Sequence, residues 1–160
     1  MLSDLADMTL ITGKNEKLYR KLHGRFKNIH VLGYVKNIDA YFLCSDLVIT
    51  KPGGITTFEA IYSETPILAL NPTMRQEKYN AAFISKHEIG RTFFLENDAK
   101  DAERIGALIC NSTQIEHYKQ CMRQLKKAYT ACTLTEIVNE LTAALPLGGT
   151  FHDEIFSFNF

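Results

Sequence analysis

The sequence predicts a single α/β domain in which helices cover both faces of a parallel sheet. Short apolar runs alternate with segments of helical periodicity, as in repeated β-α units. Two of these runs, at residues 47–49 and 67–70, are apolar at every position, which is typical of strands buried on both faces. With 160 residues, of which 46% are hydrophobic, the chain can form one core but not two full domains.

Strands and helices are predicted to alternate from residue 8 to residue 95. The strands are expected at residues 8–12, 29–32, 47–50, 67–70 and 91–95. The helices are expected at residues 15–23, 38–44, 54–62 and 76–87. From residue 98 to about residue 145 the pattern becomes helical, with Ile105, Leu108 and Ile109 on one stripe.

Residues 1–146 are predicted to form the domain, since neither a repeat nor a linker rich in Pro, Gly or Ser divides them. Residues 147–160 form an aromatic tail that either packs on the domain or frays. Its aromatic side chains are Phe151, Phe156, Phe158 and Phe160.

Charge and targeting features limit the classes of partner and location. The 18 basic and 18 acidic side chains balance, so there is no general attraction to nucleic acid, and phosphate binding has to be local. The sequence shows no secretion signal and no apolar run long enough to span a bilayer. We therefore expect a cytoplasmic protein that can also rest on a membrane surface.

Cysteine and histidine spacing predicts no metal site. The four cysteines form no CxxC pair and are expected to be reduced, buried thiols. Three of them, Cys110, Cys121 and Cys132, are eleven residues apart, a spacing that can place them on one face of a helical stretch. The five histidines are scattered and are expected to be surface or packing residues.

The most informative segment is the turn Lys51-Pro52-Gly53-Gly54, which joins an apolar strand to a helix. Glycines let a backbone approach a ligand closely, and a helix N-terminus presents unpaired N–H groups and the positive end of its dipole. Lys51 can add a cation. The pattern is compatible with phosphate binding, but a Pro-Gly-Gly turn is also an ordinary way to leave a strand.

Glu59 has two interpretations that the sequence leaves open. If the helix starts at Gly54, Glu59 lies roughly 7.5 Å further along its axis, where its carboxylate can accept both hydroxyls of a ribose. Alternatively, Thr56 and Glu59 form a capping box, in which Glu59 folds back onto the backbone N–H of Thr56.

The loop after the strand at residues 67–70 is expected at the same edge of the sheet as the glycine turn, where ligands of open α/β sheets bind. Gln76 and Glu77 open the next helix and can reach sugar hydroxyls. Both are also ordinary first-turn helix residues, so the pattern alone favours no site there.

Taken in order, the motifs resemble a known family. They are GKNEKL at residues 13–18, GYV at 33–35, SDLVITKPGG at 45–54, EA at 59–60, NP at 71–72 and QExxNA at 76–81. Together they resemble the C-terminal domain of glycosyltransferases of the monogalactosyldiacylglycerol synthase type. The closest branch is the bacterial processive diacylglycerol glucosyltransferases, and the undecaprenyl-linked N-acetylglucosaminyltransferase of peptidoglycan synthesis is more distant. The resemblance covers roughly residues 8–95.

The resemblance implies a Rossmann-like parallel sheet, the C-terminal half of the two-domain GT-B arrangement, which binds a UDP-sugar. It implies that the uracil contacts the backbone around Tyr34 and Val35. The diphosphate is expected to contact Gly53, Gly54 and Thr56, with Lys51 nearby. The ribose is expected to bind Glu59. For the transferred sugar the resemblance implies Gln76 and Glu77, with Asn80 bracing their loop. Arg75 departs from the family, which usually has Gly there, and can narrow the sugar site or contact phosphate.

For activity, the resemblance implies inverting transfer of a hexose to a lipid hydroxyl such as that of diacylglycerol. The leaving diphosphate is stabilised by helix N-termini without a metal, so neither a metal nor another cofactor is expected, and the UDP-sugar is the substrate. No catalytic residue is expected in this chain, because the family's general base and membrane surface belong to an acceptor domain. The implied partners are a UDP-sugar, an acceptor domain or acceptor-binding subunit, and a membrane lipid.

The match begins at what resembles the family's second strand, so the first β-α unit has no counterpart. Since that first strand lies between the second and fourth in the family, two strands are expected to have unpaired edges. The alternatives are the donor-binding subunit of a two-chain N-acetylglucosaminyltransferase, and an inactive fragment that keeps only the fold.

Overall fold

The computed structural model describes residues 4–130. The Cα positions group Met1–Lys127 into one compact unit and Ala128–Phe160 into a second, of which only residues 128–130 are described. The predicted domain boundary at residue 146, the tail at 147–160 and the end of the predicted helical region therefore lie outside the described residues.

Within residues 4–130, five short strands form two parallel sheets. In the first, β1 (Met8–Ile11) pairs with β2 (Ile29–Leu32). In the second, β3 (Val48–Thr50), β4 (Ile67–Leu70) and β5 (Gly90–Phe93) lie side by side in that order. Each strand is followed by a helix, which confirms the predicted α/β class with parallel pairing.

In the described part of the chain, six helices connect and follow the strands. They are α1 (Glu16–Leu22), α2 (Ile38–Leu43), α3 (Gly54–Ser63), α4 (Arg75–Lys86), α5 (Asp98–Ile109) and α6 (Ser112–Thr130). The four predicted helices and five predicted strands are all present, with ends that differ by no more than two residues.

The region predicted as helical from residue 98 is helical in the described residues, but it consists of two helices, a division that the pattern did not predict. α5 ends at Cys110, and Asn111 starts α6 by accepting a hydrogen bond of 3.0 Å from the backbone N–H of Gln114. Because Cys110 lies at this break, the idea that it shares a helix face with Cys121 is wrong. Cys132 lies outside the described residues.

The core surrounds β4, the middle strand of the second sheet. Ile67 and Ala69 belong to one buried cluster with residues of α2, α3, α4 and α6, whereas Leu68 belongs to another with Phe93 and residues of α5 and α6. Alternate side chains of β4 therefore face helices on opposite sides, as its continuous apolar run predicted.

The first sheet is less buried than the second. Val31 is the one buried residue in β1 and β2, and Leu10 is 38% exposed. In the part of the chain that the structure describes, β1 pairs only with β2, and β3 pairs only with β4. The strands thus form two sheets in place of one, and the expected unpaired edges are present at β1 and β3.

Candidate functional site

The turn after β3 and the loop after β4 lie at the same edge of the second sheet. β3 and β4 are parallel, with Thr50 paired to Ala69, so the segments that follow the two strands leave the sheet at the same carboxyl edge. The first leads through the glycine turn into α3, and the second leads through Asn71-Pro72-Thr73-Met74 into α4. The two segments singled out from the sequence are therefore brought together.

The glycine turn presents an uncapped helix N-terminus. Gly53 is the N-cap of α3, has an extended backbone (φ −74°, ψ 150°), and supplies no side chain to accept the first N–H groups. The carbonyl of Gly53 accepts from the backbone N–H and from the hydroxyl of Thr57, at 2.9 and 2.7 Å. These bonds fix the start of the helix while its outward N–H groups stay available for an acceptor.

The conformation of the turn does not itself require glycine. Neither Gly53 nor Gly54 has a positive φ. A Cβ on Gly53 would be 3.8 Å from the Thr56 hydroxyl, and one on Gly54 would be 3.9 Å from the Asn80 amide, both ordinary contacts. What the two glycines provide is an uncovered backbone above the turn, which suits the close approach of a ligand.

Asn80 holds the glycine turn from the neighbouring helix. Its side-chain amide, on α4, donates a hydrogen bond of 2.8 Å to the carbonyl of Pro52. The resemblance implied that Asn80 braces its own loop, but the structure shows it bracing the turn after β3. This cross-link couples the positions of α3 and α4.

Glu77 is an internal brace of the loop after β4. Only 6% of the residue is exposed, and its carboxylate accepts from the backbone N–H groups of Thr73 and Met74, at 2.8 and 3.1 Å. It also accepts from the Thr73 hydroxyl at 3.2 Å. The backbone N–H of Thr73, followed by that of Met74, holds the pKa of this carboxyl below its ordinary value.

Lys51 connects the two loops by charge. Its Nζ is 3.6 Å from the Glu77 carboxylate and donates a longer hydrogen bond of 3.4 Å to the Thr73 hydroxyl. The side chain of Lys51 is 57% exposed, so its ammonium faces solvent as well as Glu77. A cation is thus held beside the glycine turn.

The structure decides against the capping-box interpretation of Glu59. The helix starts at Gly54, so Thr56 is already its third residue and not its N-cap, and no side chain caps this end. Glu59 is half-buried, and no hydrogen bond or ion pair engages its carboxylate within residues 4–130. It remains available to an external donor.

At the start of α4, Arg75 and Gln76 differ in their engagement. Arg75 donates from its guanidinium to the Tyr79 hydroxyl, at 3.2 and 3.3 Å, and lies 5.6 Å from the centre of that ring. Gln76 is exposed. Of the polar pair Gln76 and Glu77, the amide is therefore the group that faces solvent.

A separate cavity of about 430 Å³ lies at the carboxyl ends of β1 and β2. Its walls include Gly13, Lys14, Tyr19, Gly33 and Tyr34. Tyr34 is 63% exposed, and the Lys14 ammonium is 5.6 Å from the centre of its ring. Tyr34 and Val35 were predicted as site residues from the sequence, whereas Lys14 and Tyr19 were not. The signal that could have found them is the glycine that follows each strand, Gly13 after β1 and Gly33 after β2.

Comparison with known proteins shows the family. The model of the glycosyltransferase family 28 C-terminal domain matches residues 4–133. This chain belongs to that family. The family 28 domain here is similar to processive diacylglycerol beta-glucosyltransferases of Staphylococcus saprophyticus, 34% identical over 133 residues, and Staphylococcus aureus, 32% identical over 140 residues.

The match covers most of this chain and a minor part of those relatives. It includes 81% and 85% of the chain, respectively, but only 33% and 35% of the two relatives. The chain thus spans about a third of the length of the curated relatives it matches.

Solved structures agree on the fold of this family 28 domain. The glycotransferase of kitacinnamycin superposes with a TM-score of 0.58 at 14% identity, covering 86% of this chain and 43% of that one. WaaG, a glycosyltransferase involved in lipopolysaccharide biosynthesis, superposes with a TM-score of 0.57 at 18% identity, covering 92% and 42%. At these identities the likeness concerns the fold, and it confirms the Rossmann-like, GT-B type of sheet.

No helix among residues 4–130 is both long and apolar enough to cross a bilayer.

Proposed function

We propose that this family 28 domain binds a UDP-sugar and forms the donor side of an inverting glycosyltransferase that transfers a hexose to a lipid hydroxyl. The observation that carries the proposal is the uncapped, glycine-started N-terminus of α3, held open at the sheet edge by Asn80. An anion is the complement of such an end, because its N–H groups and dipole favour negative charge.

The diphosphate is assigned to this turn. The free N–H groups at the start of α3 and the hydroxyl of Thr56 donate to its oxygens, and the Lys51 ammonium adds positive charge at the neighbouring loop. These groups stabilise the negative charge that develops on the leaving diphosphate, so the proposal includes no metal ion or other cofactor.

The nucleoside is assigned to Glu59 and to the cavity beside Tyr34. Glu59 lies five residues after Gly54, roughly 7.5 Å along α3, which matches the separation between a diphosphate and the ribose hydroxyls that bind a carboxylate. The uracil then occupies the cavity, against the backbone of Tyr34 and Val35, as the family resemblance implies.

The sugar is assigned to Gln76. Because Glu77 already accepts three hydrogen bonds and an ion pair within its loop, we give it the role of holding Gln76 in position. Arg75 occupies the position where the family usually has Gly, and its guanidinium is hydrogen-bonded to the Tyr79 hydroxyl. Its guanidinium can turn toward a phosphate oxygen.

The acceptor side is assigned to another domain or subunit. Relatives named as diacylglycerol glucosyltransferases are about three times as long as the part matched here. We therefore propose that the general base, the lipid site and the membrane contact come from a partner. Diacylglycerol is the acceptor that the names of these relatives favour, and a peripheral position at a membrane follows from it.

The test is calorimetric titration of the purified chain with UDP, UDP-glucose and UDP-N-acetylglucosamine. We expect saturable binding of all three, weakened by about 1–3 kcal/mol in Glu59→Ala through loss of charged hydrogen bonds. Glu103→Ala, which removes an exposed carboxylate from α5, is the matched control. A folded sample that binds none of the three nucleotides contradicts the proposal, and equal affinity of Glu59→Ala contradicts the ribose assignment.

A further inference from the structure

Three potential metal ligands converge at the opposite edge of the second sheet. They are the carboxylate of Glu88, the imidazole of His117 and the thiol of Cys121, whose ligand atoms all lie within 4.8 Å of one another. Glu88 precedes β5 and so lies at the amino edge, about one strand length from the glycine turn. The proposed donor site uses none of these residues.

The two separations from His117 are close to those of a tetrahedral site. Nε2 of His117 is 3.6 Å from the Glu88 carboxylate and 3.7 Å from Sγ of Cys121. Ligands bound tetrahedrally to Zn²⁺ at ordinary bond lengths are separated by about 3.4–3.6 Å. The two distances from His117 are therefore close to those between ligands of a tetrahedral ion, and the third ligand atom lies within 4.8 Å of the other two.

Within the cluster, one ring nitrogen is the shared partner of the other two groups. Both the carboxylate and the sulfur face the same ring nitrogen, Nε2, which can offer either one proton or one lone pair. A cation at the centre would instead accept a lone pair from each of the three atoms.

The backbone of each ligand lies next to buried core residues. His117 and Cys121 are four residues apart on α6, which places them on one face, and the adjacent Tyr118 and Met122 are buried in the core. Glu88 has a left-handed backbone (φ 50°) at the end of α4, and Ile89 beside it is fully buried. Such pre-positioning lowers the cost of assembling a metal site.

We propose that Glu88, His117 and Cys121 bind a Zn²⁺ ion, with the fourth position open to water or an external ligand. A thiolate with an imidazole favours zinc over the hard cations Mg²⁺ and Ca²⁺. The bound ion joins the loop between α4 and β5 to α6 and stabilises the domain. The thiolate is the form of cysteine that binds a metal, so binding of the ion releases the Cys121 thiol proton to solvent.

The experiment uses the full chain after treatment with a reductant and a chelator. Titration with Co²⁺ is expected to give a thiolate-to-cobalt charge-transfer band that saturates at one equivalent and disappears when Zn²⁺ is added. The band is expected to be lost in Cys121→Ser and retained in Cys110→Ser and Cys132→Ser.

The other two ligands are tested by Zn²⁺ affinity and thermal stability. Glu88→Gln and His117→Gln are each expected to weaken Zn²⁺ binding by at least about tenfold, whereas His30→Gln leaves it unchanged. Zn²⁺ is expected to raise the Tm of the parent protein and not that of Cys121→Ser, with circular dichroism confirming that each variant folds. A missing band, or a band unchanged in Cys121→Ser, overturns the site. Unchanged affinity in Glu88→Gln or His117→Gln overturns the three-ligand assignment.

Discussion

The side-chain amide of Asn80 donates a 2.8 Å hydrogen bond to the carbonyl of Pro52, across 28 residues of sequence. This bond joins α4 to the turn in front of α3, while Lys51 and Glu77 join the same two segments by charge. The uncapped start of α3 and the solvent-facing amide of Gln76 are therefore positioned together. A change in either loop is expected to alter both.

Replacement of Asn80 by Asp tests this link. The variant has the same shape, but a carboxylate oxygen faces the Pro52 carbonyl in place of a donor. We expect the free energy of unfolding to fall by about 1–3 kcal/mol, since a partly buried acceptor is left without its bond. Chemical denaturation measures the change, and UDP affinity is expected to fall as well. Asn37→Asp, at the exposed N-cap of α2, where the side chain makes no capping bond, is the control that should change neither.

Gly54→Ala is expected to change the stability of the fold and the affinity for UDP in opposite directions. Gly54 begins α3, has no left-handed φ, and has room for a Cβ 3.9 Å from the Asn80 amide. We expect the variant to be more stable by about 0.4–1 kcal/mol, because alanine restricts the unfolded chain. UDP affinity is nevertheless expected to fall, because the methyl group covers the backbone that approaches the diphosphate.

The measurements are the Tm and a UDP titration of the same preparation. Ser63→Ala, at the far end of the same helix, adds a helix-favouring residue away from the turn and should leave UDP affinity unchanged. If Gly54→Ala binds UDP as tightly as the parent protein, the diphosphate does not lie over this turn.

β4 could be predicted from sequence because burial on both faces leaves little choice of residue. β4 consists of four apolar residues, three of them buried, and its bounds were predicted without error. The break at Asn111 was missed, because an asparagine within an apolar helical stripe is also compatible with a continuous helix. The structure shows its side chain accepting from Gln114, which makes it a cap.

The candidate site was predictable in position but not in the roles of its residues. The order of strands fixed which loops meet, whereas the sequence could not show whether a first-turn glutamate faces solvent or its own loop. Glu77 is buried because backbone N–H groups three and four residues earlier bind its carboxylate. Glu88 and Cys121 are 33 residues apart and meet only through tertiary packing, which left their cluster invisible to sequence spacing.

The lowered pKa of Glu77 makes its contribution to stability depend on pH. A carboxyl whose folded-state pKa lies below its unfolded value stabilises the protein above the unfolded pKa, and this stabilisation is lost as pH falls through the folded pKa. We therefore expect Glu77→Gln to have a lower Tm than the parent at pH 7. The difference should shrink as pH falls below the ordinary carboxyl range.

Asp101 provides a matched comparison for Glu77. It is also buried, accepts from the backbone N–H groups of Glu96 and Asn97 at 2.7 Å each, and has a lowered pKa for which the bond from Asn97 is the largest cause. Asp101→Asn is expected to show the same pH dependence of Tm but to leave UDP-glucose affinity unchanged at pH 7. Glu77→Gln should weaken that affinity, and equal ligand affinity in both variants would count against a positioning role for Glu77.

Gln76→Ala tests direct recognition of the sugar. The exposed amide is expected to bind hydroxyls of the transferred hexose and not the nucleotide, so UDP-glucose affinity should fall about five- to tenfold, the size of one net hydrogen bond, while UDP affinity stays within about twofold. Calorimetric titration of the same sample with both ligands measures the two affinities. Gln120→Ala removes an exposed amide from α6 and should change neither. Equal losses for both ligands would mean that Gln76 acts through the loop that Glu77 braces, and that another group contacts the sugar.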